Sequence, residues 1–206
     1  MRSARRWRRR RPQRETPTVS SVMPLPGEYP VLQELHRPGR PPLVFGHRGL
    51  SSRAPENTLA AFRLLLEHGV RGVELDIHQC ATGEIVVAHD PDLTRTAGAE
   101  ATLRETSLAE IQSYEVGSWF DSAFSGERVP TLSSVFDLLE AEVIYDIEIK
   151  PTGTRLGSAR PGEIEMTLAA LIDAHGLTHR CIVSSFDPLA IRRFAAVAPR
   201  IPTALI

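Results

Sequence analysis

The chain has 206 residues, of which 42% are hydrophobic, so it is long enough to bury one substantial core. It has no apolar run of about 18 residues that would span a membrane, and its two cysteines lie far apart without a CxxC spacing, so we expect a soluble protein of the reducing cytoplasm. The net charge is −1, but the first 14 residues carry eight arginines and no acid, which leaves a charge of −9 on the remaining residues. Because this remainder is acidic, nucleic-acid binding is excluded outside the arginine-rich segment.

The first 42 residues are predicted to form a disordered arm that precedes the folded domain. Like charges repel one another along the arginine-rich residues 1–14, and this disfavours compact structure there. Residues 15–42 hold seven of the 16 prolines and are typical of an extended segment, with one short helical turn at VLQELHR. The domain proper is therefore expected to begin near Leu43.

From Leu43 onward, apolar strand-like runs alternate with helical patterns. Strands are predicted at residues 43–46, 72–77, 143–149, 181–185 and 202–206. Helices are predicted at residues 58–69, 131–142, 163–176 and 187–199. Repeated strand–helix–strand units with short links imply right-handed parallel crossovers, hence an α/β fold with a parallel sheet or a (β/α) barrel. A closed barrel of this kind has eight strands, and five are counted here.

The stretch between the second and third of these strands has a different character. EIVVAHD, at residues 84–90, is predicted to pair back on the second strand as a hairpin after the turn at Thr82 and Gly83. Residues 91–130 are polar and irregular, with a short helix at SLAEIQSY and an aromatic pair at Trp119 and Phe120. We interpret this stretch as an insertion into the repeating pattern.

Chemically reactive side chains concentrate at the carboxyl ends of the predicted strands. In a parallel α/β fold these ends share one rim, where the loops that carry catalytic residues meet. The residues at this rim are His47, Arg48, Glu74, Asp76, His89, Glu148 and Lys150, the last being the only lysine of the chain. A single Glu-x-Asp pair on a strand is more often a solvated face, but the joint occurrence of these residues at strand ends favours a site.

The spacing of the acidic residues indicates a divalent cation. Glu74 and Asp76 are two residues apart, as are Glu148 and Lys150, so each pair points to one face of its strand, and His78 shares the face of the first pair. Three carboxylates that converge in one place repel each other and have raised pKa values unless a cation joins them. Oxygen donors favour Mg²⁺ or Ca²⁺ over the softer Zn²⁺.

These segments resemble, in order and spacing, the glycerophosphodiester phosphodiesterase family. The resemblance covers residues 43–206 and is carried by HRG, PENT with LAAF, GVELDIHQCATGEIVVAHDPDLTRT, GSWF, GERVPTLSSVFDLL and YDIEIK. It implies a (β/α)8 TIM barrel with a small insertion after the second strand, at about residues 80–130. On this reading the chain is a partial domain that holds about the first five β/α units.

The resemblance also implies the roles of individual residues. It implies catalytic acid/base residues His47 and His89, metal ligands Glu74, Asp76 and Glu148, and substrate-binding residues Arg48, Lys150, Glu56, Asn57 and Phe186. Glu56 is placed beside the metal or the glycerol, and packing explains Phe186 equally well. The residues leave open which histidine is the acid and which is the base.

The implied activity is metal-dependent hydrolysis of a small glycerophosphodiester, such as glycerophosphocholine, to glycerol 3-phosphate and an alcohol. Arg48 and Lys150 would offset charge on the phosphate oxygens while the histidines transfer protons. One alternative is a related barrel with lysophospholipase D or phosphoinositide phospholipase-like activity, which differs in the leaving group. Another is an inactive truncated fragment or a binding protein that uses the basic arm. The oligomeric state does not follow from the sequence.

Overall fold

The computed structural model of this chain describes residues 29–39, 41–151 and 162–206. The arginine-rich segment, and with it the prediction of disorder over residues 1–28, lies outside the described residues. No helix among the described residues has both the length and the apolar character needed to cross a membrane.

The described part of the lead-in contains the helical turn that the sequence predicts at VLQELHR, as the helix Pro30–Leu35. Proline suits the first turn of a helix because its missing N–H would have no helical partner there. Tyr29 and Val31 are buried, and the Tyr29 hydroxyl donates to the carbonyl oxygen of Pro199 at 3.4 Å. Their burial and this hydrogen bond anchor the lead-in to the domain.

The described residues form eight strands and seven α-helices, with strands and helices alternating outside the stretch between β2 and α5. They are α1 (Pro30–Leu35), β1 (Phe45–His47), α2 (Leu59–Glu67), β2 (Gly72–Gln79), β3 (Ile85–Val87), β4 (Asp92–Leu93), α3 (Thr94–Ala97), β5 (Ala99–Thr102), α4 (Leu108–Ile111), α5 (Leu132–Leu139), β6 (Ile144–Ile149), α6 (Glu163–Ala174), β7 (Cys181–Ser185), α7 (Pro188–Val197) and β8 (Thr203–Leu205). The five predicted parallel strands and the four predicted helices between them are all present, which confirms the α/β reading.

One sheet forms the centre of the fold. Its strands lie in the order β1-β2-β6-β7-β8, and each neighbouring pair is parallel. The register places Glu74 opposite Asp146 and Asp76 opposite Glu148, so the acidic residues of two strands lie side by side. Strand β3 pairs antiparallel with β2, which confirms the predicted hairpin.

The two faces of β2 and β6 have opposite chemistry, as their alternating sequences predict. Leu75, Ile77, Ile147 and Ile149 are fully buried in the main core, where residues of α2, α5, α6 and α7 cover them. The other face of the same strands carries the carboxylates. Burial of the apolar face therefore fixes the direction in which the carboxylates point.

The helices begin and end where local signals predict. The Thr58 hydroxyl accepts from the Ala61 amide and caps α2, and the Thr131 hydroxyl accepts from the Ser134 amide and caps α5. Gly69 follows α2 with a φ of 67°, which glycine adopts without steric cost.

The stretch after β2 has its own small core. Strands β4 and β5 form a separate two-stranded sheet. Its cluster of buried residues includes Leu93, Leu103, Ile111 and Val129, apart from the main core. The stretch therefore folds as a compact unit beside the carboxyl end of β2.

Candidate active site

A tight turn at the end of β1 carries the first two candidate residues. Arg48, in this turn, has a φ of 58°, and Asn57, in the PENT segment before α2, has a φ of 56°. Both values lie in the left-handed region, which residues other than glycine rarely adopt. The Arg48 amide donates to the Glu74 carbonyl oxygen at 2.9 Å, and the Asn57 amide donates to the Arg48 carbonyl oxygen at 3.0 Å. Such strain persists where surrounding contacts hold the backbone, and it is concentrated at functional sites.

Three carboxylates converge at the carboxyl ends of β2 and β6. One oxygen each from Glu74, Asp76 and Glu148 lies within 4.8 Å of the others. The Lys150 ammonium lies between two of them, with Nζ 2.7 Å from Asp76 Oδ1 and 2.8 Å from Glu148 Oε2. The Asn57 side chain donates to Asp76 Oδ2 at 2.8 Å. Lys150 and Asn57 therefore compensate the negative charges of Asp76 and Glu148 more than that of Glu74.

The carboxyl pKa values follow from this distribution of neighbours. Burial raises the pKa of Glu74 to about 7, and the negative charge of Asp76 adds to the rise. Burial would also raise the pKa of Asp76, but hydrogen bonds from Lys150 and Asn57 outweigh it and hold that pKa below the ordinary range. Burial raises the pKa of Glu148 despite its bond from Lys150. Glu74 is therefore the acid whose ionised form is least compensated.

The residues of this cluster fit a divalent cation. Glu148 Oε1 is buried and has no hydrogen-bond partner among the described residues, which is costly for a carboxylate oxygen. The three carboxylates offer only oxygen donors, and these suit Mg²⁺ or Ca²⁺. A cation bound here would satisfy the Glu148 oxygen and offset the charge on Glu74.

The two candidate histidines flank the carboxylates in different environments. His47 is exposed, and its Nε2 lies 3.8 Å from Glu74 Oε2. His89 is about one third exposed, and its Nδ1 lies 2.8 Å from Asp90 Oδ1. In the tautomer in which His89 donates this bond, its Nε2 is left for proton transfer.

His78, on the same strand as Glu74 and Asp76, is buried beside His89. Its side chain is buried, and Nε2 is 3.2 Å from the His89 carbonyl oxygen, to which it donates in the Nε2–H tautomer. Burial lowers the pKa of His78. A neutral His78 therefore supports the backbone of His89.

The remaining predicted substrate residues lie at the same end of the sheet. Glu56 is largely buried and accepts from Arg48 Nη1 at 2.9 Å, while Arg48 Nε lies 3.3 Å from Asp76 Oδ2. Phe186 follows directly after β7 and is 63% exposed, so packing in the core does not account for it. The structure thus brings the PENT loop, the HRG turn and the ends of β2 and β6 together.

Sequence reasoning missed two residues of this site. Asp90 contacts His89, and Arg95 contacts both Asp90 and Glu56, with Arg95 Nε 2.6 Å from Asp90 Oδ2. A signal was present, because both lie in the HDPDLTRT part of the motif that carries the resemblance. Arg95 lies in α3, beyond the strand ends, and Asp90 follows β3 directly after His89 but was not singled out.

Comparison with known proteins places this geometry in a family. The family model described as "Glycerophosphoryl diester phosphodiesterase family" matches residues 47–206. A glycerophosphodiester phosphodiesterase of Caldanaerobacter subterraneus subsp. tengcongensis is 38% identical over 165 residues, which is 80% of this chain and 66% of the relative. The putative glycerophosphodiester phosphodiesterase YhdW of Bacillus subtilis is 35% identical over 79% of this chain and 65% of the relative. The chain therefore spans about two thirds of the length of these relatives.

Solved structures give the same assignment. A putative glycerophosphoryl diester phosphodiesterase from Silicibacter pomeroyi superposes with a TM-score of 0.76 at 29% identity, covering 86% of this chain and 68% of the other. A phosphodiesterase of Oleispira antarctica, solved in complex with the product sn-glycerol-3-phosphate, has a TM-score of 0.70 at 30% identity and covers 79% and 64%. These neighbours indicate a TIM-barrel-like α/β fold. By its family match, its relatives and its fold, the chain belongs to the glycerophosphoryl diester phosphodiesterase family.

Proposed function

We propose that this chain hydrolyses small glycerophosphodiesters, such as glycerophosphocholine, to glycerol 3-phosphate and an alcohol, with a divalent cation as cofactor. The observation that carries the proposal is the cluster of Glu74, Asp76 and Glu148, with its unpartnered buried oxygen, in a chain of this family. The Oleispira antarctica relative supports the substrate class, because its structure holds sn-glycerol-3-phosphate as product.

The carboxylates and their cationic neighbours have distinct tasks in this proposal. Glu74, Asp76 and Glu148 hold the cation, which when bound polarises the phosphodiester and offsets its negative charge. Arg48 and Lys150 already lie at the cluster, within contact of Asp76. From there they stabilise the charge that builds up on the nonbridging phosphate oxygens.

The two histidines transfer the protons. One takes a proton from the attacking water or glycerol hydroxyl, and the other gives a proton to the oxygen of the leaving alcohol as the P–O bond breaks. His89 is held by Asp90 at Nδ1, which leaves Nε2 for this task, while His47 lies beside Glu74. Proton transfer by a positioned side chain contributes about 100-fold to 10,000-fold in rate.

Specificity residues surround this centre. Glu56 and Asn57, in the loop that precedes α2, lie beside Arg48 and Asp76 and are assigned to the glycerol side of the substrate. The exposed Phe186, after β7, is assigned to the substrate as an apolar contact.

For the architecture, we propose that the five parallel strands correspond to the first five units of a (β/α)8 barrel, within a domain of residues 43–206. The strand order β1-β2-β6-β7-β8 supports this, because each new parallel strand adds beside the previous one as barrel strands do. Residues 80–130 then form the insertion after the second unit.

Product analysis by ³¹P NMR tests the proposed reaction. The purified chain is incubated with glycerophosphocholine, with lysophosphatidylcholine and with a phosphoinositide, each with Mg²⁺ or Ca²⁺. We expect glycerol 3-phosphate from glycerophosphocholine as the fastest reaction. Lysophosphatidic acid as the faster product would instead establish a lysophospholipase D, and phosphocholine as product would refute the assigned bond cleavage.

A further inference from the structure

Arg95 joins three separate parts of the site through one guanidinium group. Its Nε donates to Asp90 Oδ2 at 2.6 Å, while Nη2 and Nη1 donate to the two oxygens of Glu56 at 2.7 and 3.2 Å. Its Cζ lies 5.4 Å from the ring centroid of Trp119. The arginine thus links the segment that carries His89, the PENT loop and the stretch that contains Trp119.

We propose that Arg95 is a positioning residue that holds the His89 imidazole, through Asp90, in the orientation that acid/base catalysis requires. This inference rests on the proposed phosphodiesterase function. It adds a chain of contacts from Trp119 through Arg95 and Asp90 to the reacting histidine.

The geometry explains why Asp90 needs a second partner. Asp90 adjoins His89 in sequence and is about one quarter exposed, so its carboxylate would otherwise sample several rotamers in contact with water. One of its oxygens lies on His89 Nδ1, and Arg95 Nε holds the other. A carboxylate fixed at both oxygens fixes the imidazole that donates to it, and this orientation determines where Nε2 points.

The other end of the guanidinium anchors this pair to the centre of the site. Glu56 receives two bonds from Arg95 and one from Arg48, and Arg48 Nε lies 3.3 Å from Asp76. Trp119 packs against the guanidinium, and its own Nε1 donates to the Val116 carbonyl oxygen at 2.9 Å. Asp90 therefore holds one side of the Arg95 guanidinium, and Glu56 and Trp119 hold the other. A planar guanidinium presents these donors in a fixed arrangement, whereas the ammonium of a lysine does not.

The test compares Arg95→Gln and Arg95→Lys with the control Arg128→Gln. Arg128 lies in the same stretch of the chain, and its Nη1 donates to the Ser113 carbonyl oxygen, outside the site. Loss of orientation at an acid/base residue, which supplies about 100-fold or more, is expected to lower kcat of Arg95→Gln on the order of 10-fold with little change in KM. Arg95→Lys is expected to recover only part of kcat, and the control to keep the wild-type value.

A second measurement does not depend on activity. The Nδ1–H resonance of His89 is identified by ¹⁵N-edited NMR of the full chain from its loss in His89→Asn. We expect this resonance in the wild type, shifted and exchanging faster with water in Arg95→Gln, and unchanged in Arg128→Gln. A purely structural role of Arg95 would lower thermal stability without a selective change at His89.

The outcomes separate this inference from the proposed function. A wild type without any phosphodiesterase activity contradicts the proposed function, while a His89 resonance that still depends on Arg95 supports the positioning role. An active wild type whose Arg95→Gln variant keeps kcat within about 2-fold and keeps the His89 resonance unchanged overturns the inference, since an orienting group is worth more than this.

Discussion

At the scale of single residues, the two histidines carry the most specific expectation. Replacing either His47 or His89 with Ala is expected to lower kcat by about 100-fold or more, because each variant removes one of the two proton transfers. Initial rates with glycerophosphocholine measure the loss. His68→Ala is the matched control, because His68 is an exposed histidine that caps the end of α2. Near-wild-type turnover in both variants would contradict the mechanism.

Glu74 gives the site a dependence on pH. Its pKa in the folded chain is about 7 against an ordinary value of 4.5, so the folded state binds this proton more tightly than the unfolded state does. The stability that the proton contributes is complete below pH 4.5 and is lost as pH rises to about 7, a change of about 3 kcal/mol at 1.36 kcal/mol per pKa unit. Relative to Glu74→Gln, the metal-free wild type is expected to lose stability over this range.

A bound cation should reverse that loss, because it binds the ionised carboxylate. Urea unfolding with and without Mg²⁺ or Ca²⁺ measures this, and stabilisation by the cation is expected to be larger at pH 7.5 than at pH 5.5. In Glu74→Gln the stabilisation should be weak at both values. Equal stabilisation of the wild type at both pH values would show that Glu74 does not take part in binding.

The sequence predicted the carboxylate cluster well because its cause is periodic. Alternation on β2 and β6 determines which side chains share a face, and parallel pairing determines which strand ends meet, so the grouping of Glu74, Asp76 and Glu148 on one face follows from their spacing. Asp90 and Arg95 do not follow, since their positions depend on how the stretch after β3 folds back on the site. No short-range pattern encodes that contact.

At the scale of elements, the turn after β1 is expected to be sensitive to substitution. Gly49 has a φ of 82°, and a Cβ there would lie 2.8 Å from the Ala61 Cβ and 2.9 Å from the Ala61 carbonyl carbon. Gly49→Ala is therefore expected to reduce the free energy of unfolding by about 2 kcal/mol or more, by clash and by backbone strain. It should also lower activity, because His47 and Arg48 precede Gly49 directly.

Gly69→Ala separates the two causes. Gly69 has a φ of 67°, but a Cβ there meets nothing within 4 Å. Gly69→Ala is therefore expected to reduce the free energy of unfolding by about 1 kcal/mol, through backbone strain without a clash. Urea unfolding of both variants measures the difference. A Gly49→Ala chain as stable as Gly69→Ala would mean that the turn does not pack on α2 as closely as described.

Helices were predicted well and the short elements poorly. Thr58, Thr131 and Asp187 cap three helices through side-chain bonds that the sequence indicates directly. The helix predicted at SLAEIQSY is present as α4, whereas the four-residue helix α3 and the strands β4 and β5 are shorter than the periods that reveal an element. The helical turn of the lead-in was predicted from VLQELHR, whereas the burial of Tyr29 and Val31 depends on a contact distant in sequence.

At the scale of the whole molecule, the fold assembles one site from distant parts of the chain. The parallel sheet brings the turn after β1 beside the end of β2 and beside the end of β6, which lies about a hundred residues further along the chain. The repeating pattern predicted that convergence, because parallel strands place all their carboxyl ends on one side. The electrostatics of the site, with Lys150 between two acids, required the three-dimensional arrangement.

Release of glycerol 3-phosphate from glycerophosphocholine tests the central claim most directly. The purified chain is assayed with EDTA and then with added Mg²⁺ or Ca²⁺, beside Glu148→Gln, whose folding is checked by circular dichroism. We predict release that EDTA abolishes, that one of the two cations restores, and that Glu148→Gln lacks, because removing one carboxylate weakens the cation site. Release that persists in EDTA, or equal release by a folded Glu148→Gln, would contradict a metal-dependent phosphodiesterase at this cluster.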